Sequence, residues 1–229
     1  MIGVAFRFAT PRLVNIVNNL TPTSNPVAIE NFVRDVEGFF AMYSEHGAHE
    51  EQVLFPHLRR FHPGLNPSMD LEHEEEHETV RLMEGAIQRW RNGNTADSAV
   101  AGAMLEVLQA ELPRFLEHLG QHTRNEESTI TVVARKYLTL ERQKEIANKV
   151  WDLTPTDSWY KVLPYAIENL PMPMWKVRYI KTFIWACPDR AQEIGLICYR
   201  TLRSVDWTFL AKEVPEIIPR GLPGWKRQY

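Results

Sequence analysis

The chain is poor in cysteine. Its two cysteines, Cys187 and Cys198, cannot build a disulfide framework or a Cys-x-x-Cys metal site, and they suit a reducing compartment. Long apolar runs are also missing. Lys176, Arg178, Lys181, Asp189 and Arg190 interrupt the most apolar C-terminal stretch, so no segment reaches the roughly 18 residues that a membrane span needs. Basic charge is not in excess: 26 Lys+Arg against 29 Asp+Glu leave a net charge of −3, which argues against a dedicated nucleic-acid binder. The opening MIGVAFRFATPRLV lacks a charged segment followed by an apolar one, so no signal peptide is expected and the expected location is the cytoplasm. With 44% hydrophobic and 24% charged residues, the 229-residue chain has an ordinary globular composition, not that of a disordered or collagen-like protein. That length suits one substantial domain, or a domain with an extension.

Histidine is absent from two-thirds of the chain, and all eight lie between His46 and His122. Imidazole is the commonest metal ligand and a proton carrier near neutral pH, so the clustering points to chemistry in the N-terminal part. Charge divides the chain near residue 140. Residues 1–140 hold 12 Lys+Arg against 19 Asp+Glu, whereas 141–229 hold 14 against 10 and six of the seven tryptophans. Two pieces with different surfaces follow.

The first piece reads as helices. Leu13, Ile16, Val17 and Leu20 share one face of a helix over 11–20, and TPTSNP (21–26) makes a turn with Pro26 opening the next helix. Phe32, Val36, Phe39, Phe40 and Tyr43 keep helical spacing in a long segment over 27–61, which FHPGLNP (61–67) breaks. Ser68 is a candidate N-cap for a helix to about residue 90, and RNGNT (91–95) separates it from a fourth helix over 96–140. Pro113 is expected to interrupt or kink that fourth helix. Long helices with short connections predict an all-α fold, an up-down four-helix bundle over 1–140. The second piece, 141–229, is expected to be a helical extension packed on the bundle, with helices over 141–151, 159–170, 175–186 and 189–210.

Three segments of the first piece carry His and Glu four residues apart: His46/Glu50, His73/His77 and His122/Glu126. Residues i and i+4 project from one helix face about 5–6 Å apart at Cβ, so each pair can aim two donor atoms into a bundle interior. An isolated pair of this kind is normally a solvated surface pair, and EHEEEHE alone reads as an acidic exposed face. Against that, His46 follows Phe39, Phe40 and Tyr43, and His122 follows Phe115, Leu116 and Leu119. Burying these polar groups without a partner costs several kcal/mol, of the order expected for unpaired polar groups. A metal ion supplies the compensation. Imidazole and carboxylate without thiolate suit iron, manganese or zinc.

The blocks H-x-x-x-E-E-x-x-L-F-P (46–56), E-E-H-E-x-x-R (75–81) and H-x-x-x-E-E (122–127) resemble, in order, those of the hemerythrin-like, or HHE cation-binding, domain. The resemblance covers about residues 8–140 and its first block is the most specific. It implies a four-helix bundle with a non-haem di-iron centre that meets O2 or another small diatomic ligand. By position it implies His46 on one iron, His77 and His122 on the other, and Glu50 and Glu126 as bridges. His73 matches the first member of the His-x-x-x-His pair of the oxygen-carrying members. The family also carries a first-helix histidine, and here the corresponding stretch is FRFATPRL, with no histidine before His46. One ion is then under-ligated, or His49 or His118 is recruited, or the site holds a single metal. The expected function is O2 binding or sensing, or iron handling. The alternatives are a di-iron oxidase or oxygenase using an open coordination position, and a helical interaction protein whose metal is structural or lost. For that last reading KVRYIK (176–181) and GWKRQY (224–229) offer basic, aromatic contact segments.

Overall fold

The computed structural model describes residues 2–65 and 68–221, without the side chains of Ile2 and of residues 68–71. The basic segment 224–229 and the side chain of Ser68 therefore lie outside the described residues. The fold is all-α; among the described residues there is no strand. The chain divides into two compact units, Met1–Thr139 and Leu140–Tyr229. No described helix is long and apolar enough to cross a membrane.

The first unit is built from α1 (Ile2–Asn19), α2 (Pro26–His49), a π-helical turn (Glu50–Leu54), α3 (Phe55–Arg59), α4 (Ser68–Asn92) and α5 (Ser98–Tyr137). α2, the π turn and α3 run on as one rod. α1 packs on α2 and α5, and α4 packs on the same two, which closes a four-helix bundle. Neighbours are antiparallel, as the cross-links Arg12–Asp35 (α1–α2), Arg91–Glu37 (α4–α2) and Gln109 to the carbonyls of Val17 and Leu20 require. Caps set the starts: the Val27 N–H donates to Asn25 Oδ1 at 2.9 Å with Pro26 following, and the Ala99 N–H donates to Asp97 Oδ1 at 2.8 Å.

Two prolines behave differently from the sequence expectation. α1 begins nine residues ahead of Pro11 and passes through it. Pro113 likewise sits inside the unbroken 40-residue α5. An internal proline forfeits a backbone hydrogen bond at about 3 kcal/mol. Burial outweighs that cost. Ala5, Ala9, Leu13 and Val17 form an i+4 stripe exposed by 1% or less, and Leu112, Phe115 and Leu116 flank Pro113 in the core.

The second unit comprises α6 (Leu140–Leu153), α7 (Thr156–Glu168), α8 (Pro173–Ala186), α9 (Ala191–Thr201) and α10 (Ser204–Glu213), with 3₁₀ turns at Pro188–Arg190 and Pro215–Ile217. The single helix expected over 189–210 is broken at Leu202, which is extended (φ −77°, ψ 154°). The break lets the chain after α10 return onto α9. There a Cβ on Gly195 would meet the Ile217 carbonyl oxygen at 1.6 Å, so only glycine permits this backbone approach. Trp151 and Trp159, both 3% exposed, stack at 4.3 Å in the core with the half-buried Phe183 edge-on to both. KVRYIK is not a free basic face, because Lys176, Val177, Tyr179 and Ile180 are buried in α8.

Candidate metal centre

The apolar stripe of α2 fixes which way its last turn faces. Phe32, Val36, Phe39, Phe40 and Tyr43 are all buried, and the same helix face continues to His46 and Glu50. Beneath these groups lies an aromatic floor in which Phe39, Phe40 and Tyr43 each meet the Phe115 ring edge-on. α4 and α5, antiparallel and closely packed, bring His73 opposite His122.

Glu50, His73, His122 and Glu126, all buried, each present one donor atom, and these four atoms lie within 4.8 Å of one another. His73 Nε2 and His122 Nε2 are 3.0 Å apart. His122 Nε2 lies 2.9 Å from Glu126 Oε1, and His73 Nε2 lies 3.8 Å from Glu50 Oε2. His46 Nε2 faces both carboxylates, 3.5 Å from Glu50 Oε1 and 3.8 Å from Glu126 Oε2. On the far side of the rings, His73 Nδ1 is 2.8 Å from Glu51 Oε1 and His122 Nδ1 is 2.7 Å from Glu72 Oε2.

A π turn begins at Glu50, where the Phe55 N–H donates to the Glu50 carbonyl five residues back. Consecutive residues of a regular α-helix diverge by about 100°. Here Glu50 enters the cluster while its neighbour Glu51 reaches the outer nitrogen of His73, so both act on one ring. Such turns recur at functional sites.

The cluster is short of positive charge. Glu50 Oε2 and Glu126 Oε1 are buried and receive no well-aligned hydrogen bond. Burial, and then the neighbouring Glu126, push the Glu50 carboxyl well above the usual carboxylate range. For Glu126 burial works in the same direction, but His122 and His46 outweigh it and hold the carboxyl low. Burial likewise lowers the His122 imidazole, yet Glu126, Glu76 and Glu72 raise it to about 9. Without a metal, therefore, the interior borrows protons to offset its carboxylates. A cation bound by N and O donors fits this set better: it would satisfy the orphaned oxygens and the two facing Nε2 atoms together.

Of the six residues singled out in the sequence, four form the converging set and His46 borders it. His77, one turn along α4 from His73, has its ring 6.2 Å from the His73 ring and edge-on to Tyr43. His49, buried on α2, lies 3.9 Å from Glu45, and His118 lies 3.4 Å from Glu76; neither belongs to the set. In the stretch FRFATPRL, which carries no histidine, Phe6 is 2% exposed and lies with its ring 5.5 Å from that of His46. Sequence reasoning missed Phe6, and it missed Glu51, Glu72 and Glu76. Glu76 is 1% exposed and accepts the Tyr43 hydroxyl at 3.0 Å. Its place between His73 and His77 was the available signal, since it lies one turn past Glu72 on the inward face.

The family model described as the hemerythrin HHE cation binding domain matches residues 12–132, more than half of the chain. No curated protein and no solved structure matches.

Proposed function

Because this chain belongs to the hemerythrin HHE cation-binding domain family, we propose that its helical bundle holds non-haem iron and uses it to bind or sense O2. That it is a metal-binding helical protein follows from the family together with the His/Glu cluster. The observation that carries the finer reading is the meeting of the Glu50, His73, His122 and Glu126 donor atoms within 4.8 Å.

In this reading Glu50, His73, His122 and Glu126 hold one ion. His46, facing the other oxygens of both glutamates, offers a second position that shares them. That second position is poorly furnished, because a hydrocarbon ring, Phe6, stands where an imidazole would complete it. Iron, when bound, supplies the electrons that O2 binding draws on. The protein's own part is electrostatic and steric: two carboxylates neutralise the ion, neutral imidazoles keep the net charge low, and Phe6, Phe39, Phe40 and Phe115 wall off water. An apolar wall beside an under-ligated position suits an uncharged diatomic ligand. Manganese and zinc share the same donor preferences, so metal identity is the first quantity to measure.

Metal analysis of protein purified without chelators, followed by absorption spectra through cycles of O2 and vacuum, tests the proposal. Iron at between one and two ions per chain, with a band that changes reversibly, is expected. Iron-free protein, or a spectrum indifferent to O2, overturns it. Irreversible bleaching with conversion of an added organic substrate moves the assignment to an oxygenase.

A further inference from the structure

Two glutamates outside the converging set stand in the same relation to it. Glu51, from the π turn, meets Nδ1 of His73 at 2.8 Å; Glu72, on α4, meets Nδ1 of His122 at 2.7 Å. A carboxylate has no proton to give, so in each pair the ring N–H donates and the carboxylate accepts. With the proton held on Nδ1, each ring turns its Nε2 inward, and the two Nε2 atoms come within 3.0 Å of each other. The supports are crossed between elements: the π turn following α2 holds a ring of α4, and α4 holds a ring of α5.

Resting on the reading that the cluster binds a metal, we propose that Glu51 and Glu72 are positioning residues that fix the tautomer and orientation of His73 and His122 and raise their strength as donors. The run EHEEEHE thereby has one such inward task, that of Glu72, besides its solvated ones, and Glu74, exposed on the same helix, has none. An outer carboxylate on a ligating imidazole typically contributes 10- to 100-fold in metal affinity. Glu51 follows directly on Glu50, which enters the cluster itself, and both belong to the π turn.

The test compares Glu51→Ala and Glu72→Ala with Glu74→Ala, which removes the same charge from an exposed site. In metal-free protein, each of the first two variants is expected to lose one downfield imidazole N–H proton resonance, that of His73 or His122, and Glu74→Ala none. Titration with Co2+ is expected to give affinities roughly 10- to 100-fold weaker in the first two variants, with a shifted visible spectrum and unchanged stoichiometry. Glu51→Gln and Glu72→Gln keep an acceptor oxygen and should regain part of the loss. Resonances that persist in both alanine variants, or affinities no weaker than in Glu74→Ala, overturn the inference. Should the unsubstituted protein bind no Co2+, the metal reading fails. The N–H resonances then still decide the orienting role on their own, lost if the glutamates hold the rings and retained if they do not.

Discussion

Each unit buries ionisable groups, and they do so in opposite ways. In the second unit Lys176, 7% exposed, meets Asp206 at 2.6 Å, and Asp206 also accepts from Arg203 at 2.7 Å. Charge there is matched within the protein. In the bundle, Glu50 and Glu126 are as deeply buried, but their partners are histidines, and one oxygen of each lacks a well-aligned donor. A self-neutralised pair is a structural feature, since each charge offsets part of its partner's cost of burial and no outside group is called for. A buried set with surplus acceptors carries a cost that bound protons offset in part and a cation would offset further. The contrast separates architecture from binding site without reference to any relative.

The largest expected effect removes the surplus. Glu50→Ala, Glu126→Ala, His73→Ala or His122→Ala each takes one donor from a set of four, and metal loading should fall at least 100-fold by equilibrium titration. The same loss should help the empty protein. Glu50→Gln is expected to raise the stability of metal-free protein by about 1–2 kcal/mol in urea denaturation, because an unsatisfied buried carboxylate disappears. Unchanged loading in both glutamate variants would remove them from the site.

The matched pair should respond in the opposite sense. Lys176→Met strands Asp206 with one exposed partner and should destabilise the second unit by about 3 kcal/mol, read from its tryptophan fluorescence, without touching metal content. Burial tends to raise the Asp206 carboxyl, but Lys176 and Arg203 outweigh it and lower it from the ordinary 3.8. A carboxyl lowered on folding stabilises fully above its ordinary value and loses that contribution as pH falls through the lower folded value. The second unit of Asp206→Asn should therefore lose the part of its acid dependence that lies below about pH 4.

A smaller change would convert the under-furnished side of the site. Phe6→His places an imidazole beside His46, and the expected result is a rise from one firmly held ion towards two, counted by metal analysis. His77→Ala should matter least among the six residues singled out, with affinity within about threefold of the parent, since its ring stands outside the converging set. A loss as large as that of His73→Ala would put His77 in the first coordination shell.

Each of the three i,i+4 pairs sends at least one member into the converging set, because a four-residue step fixes a shared helix face; His77 stays outside it and His46 borders it. What surrounds the pairs was not legible in the sequence. Glu51 and Glu72 belong to runs of glutamate that look solvated, and their partners lie 22 and 50 residues away in sequence. The π turn at Glu50–Leu54, which holds both Glu50 and Glu51, has no sequence signature of its own. Pro11 and Pro113 pointed to helix ends that burial of Ala9, Leu13, Leu112 and Phe115 overrides. The end of α9 at Leu202 carries no glycine or proline nearby; it is set by the return of Ile217 onto Gly195, a tertiary cause. Phe6 gives no sign in the sequence of its contact, since a phenylalanine in an apolar stretch reads as core and the ring it meets, that of His46, lies 40 residues away.

Calorimetric titration of metal-free protein with Fe2+ under anaerobic conditions tests most directly whether the unmatched interior is a cation site. The account predicts one tight event per chain, abolished in Glu50→Ala and accompanied by a higher thermal midpoint of the bundle. Absence of saturable binding, or equal binding by Glu50→Ala, would contradict it.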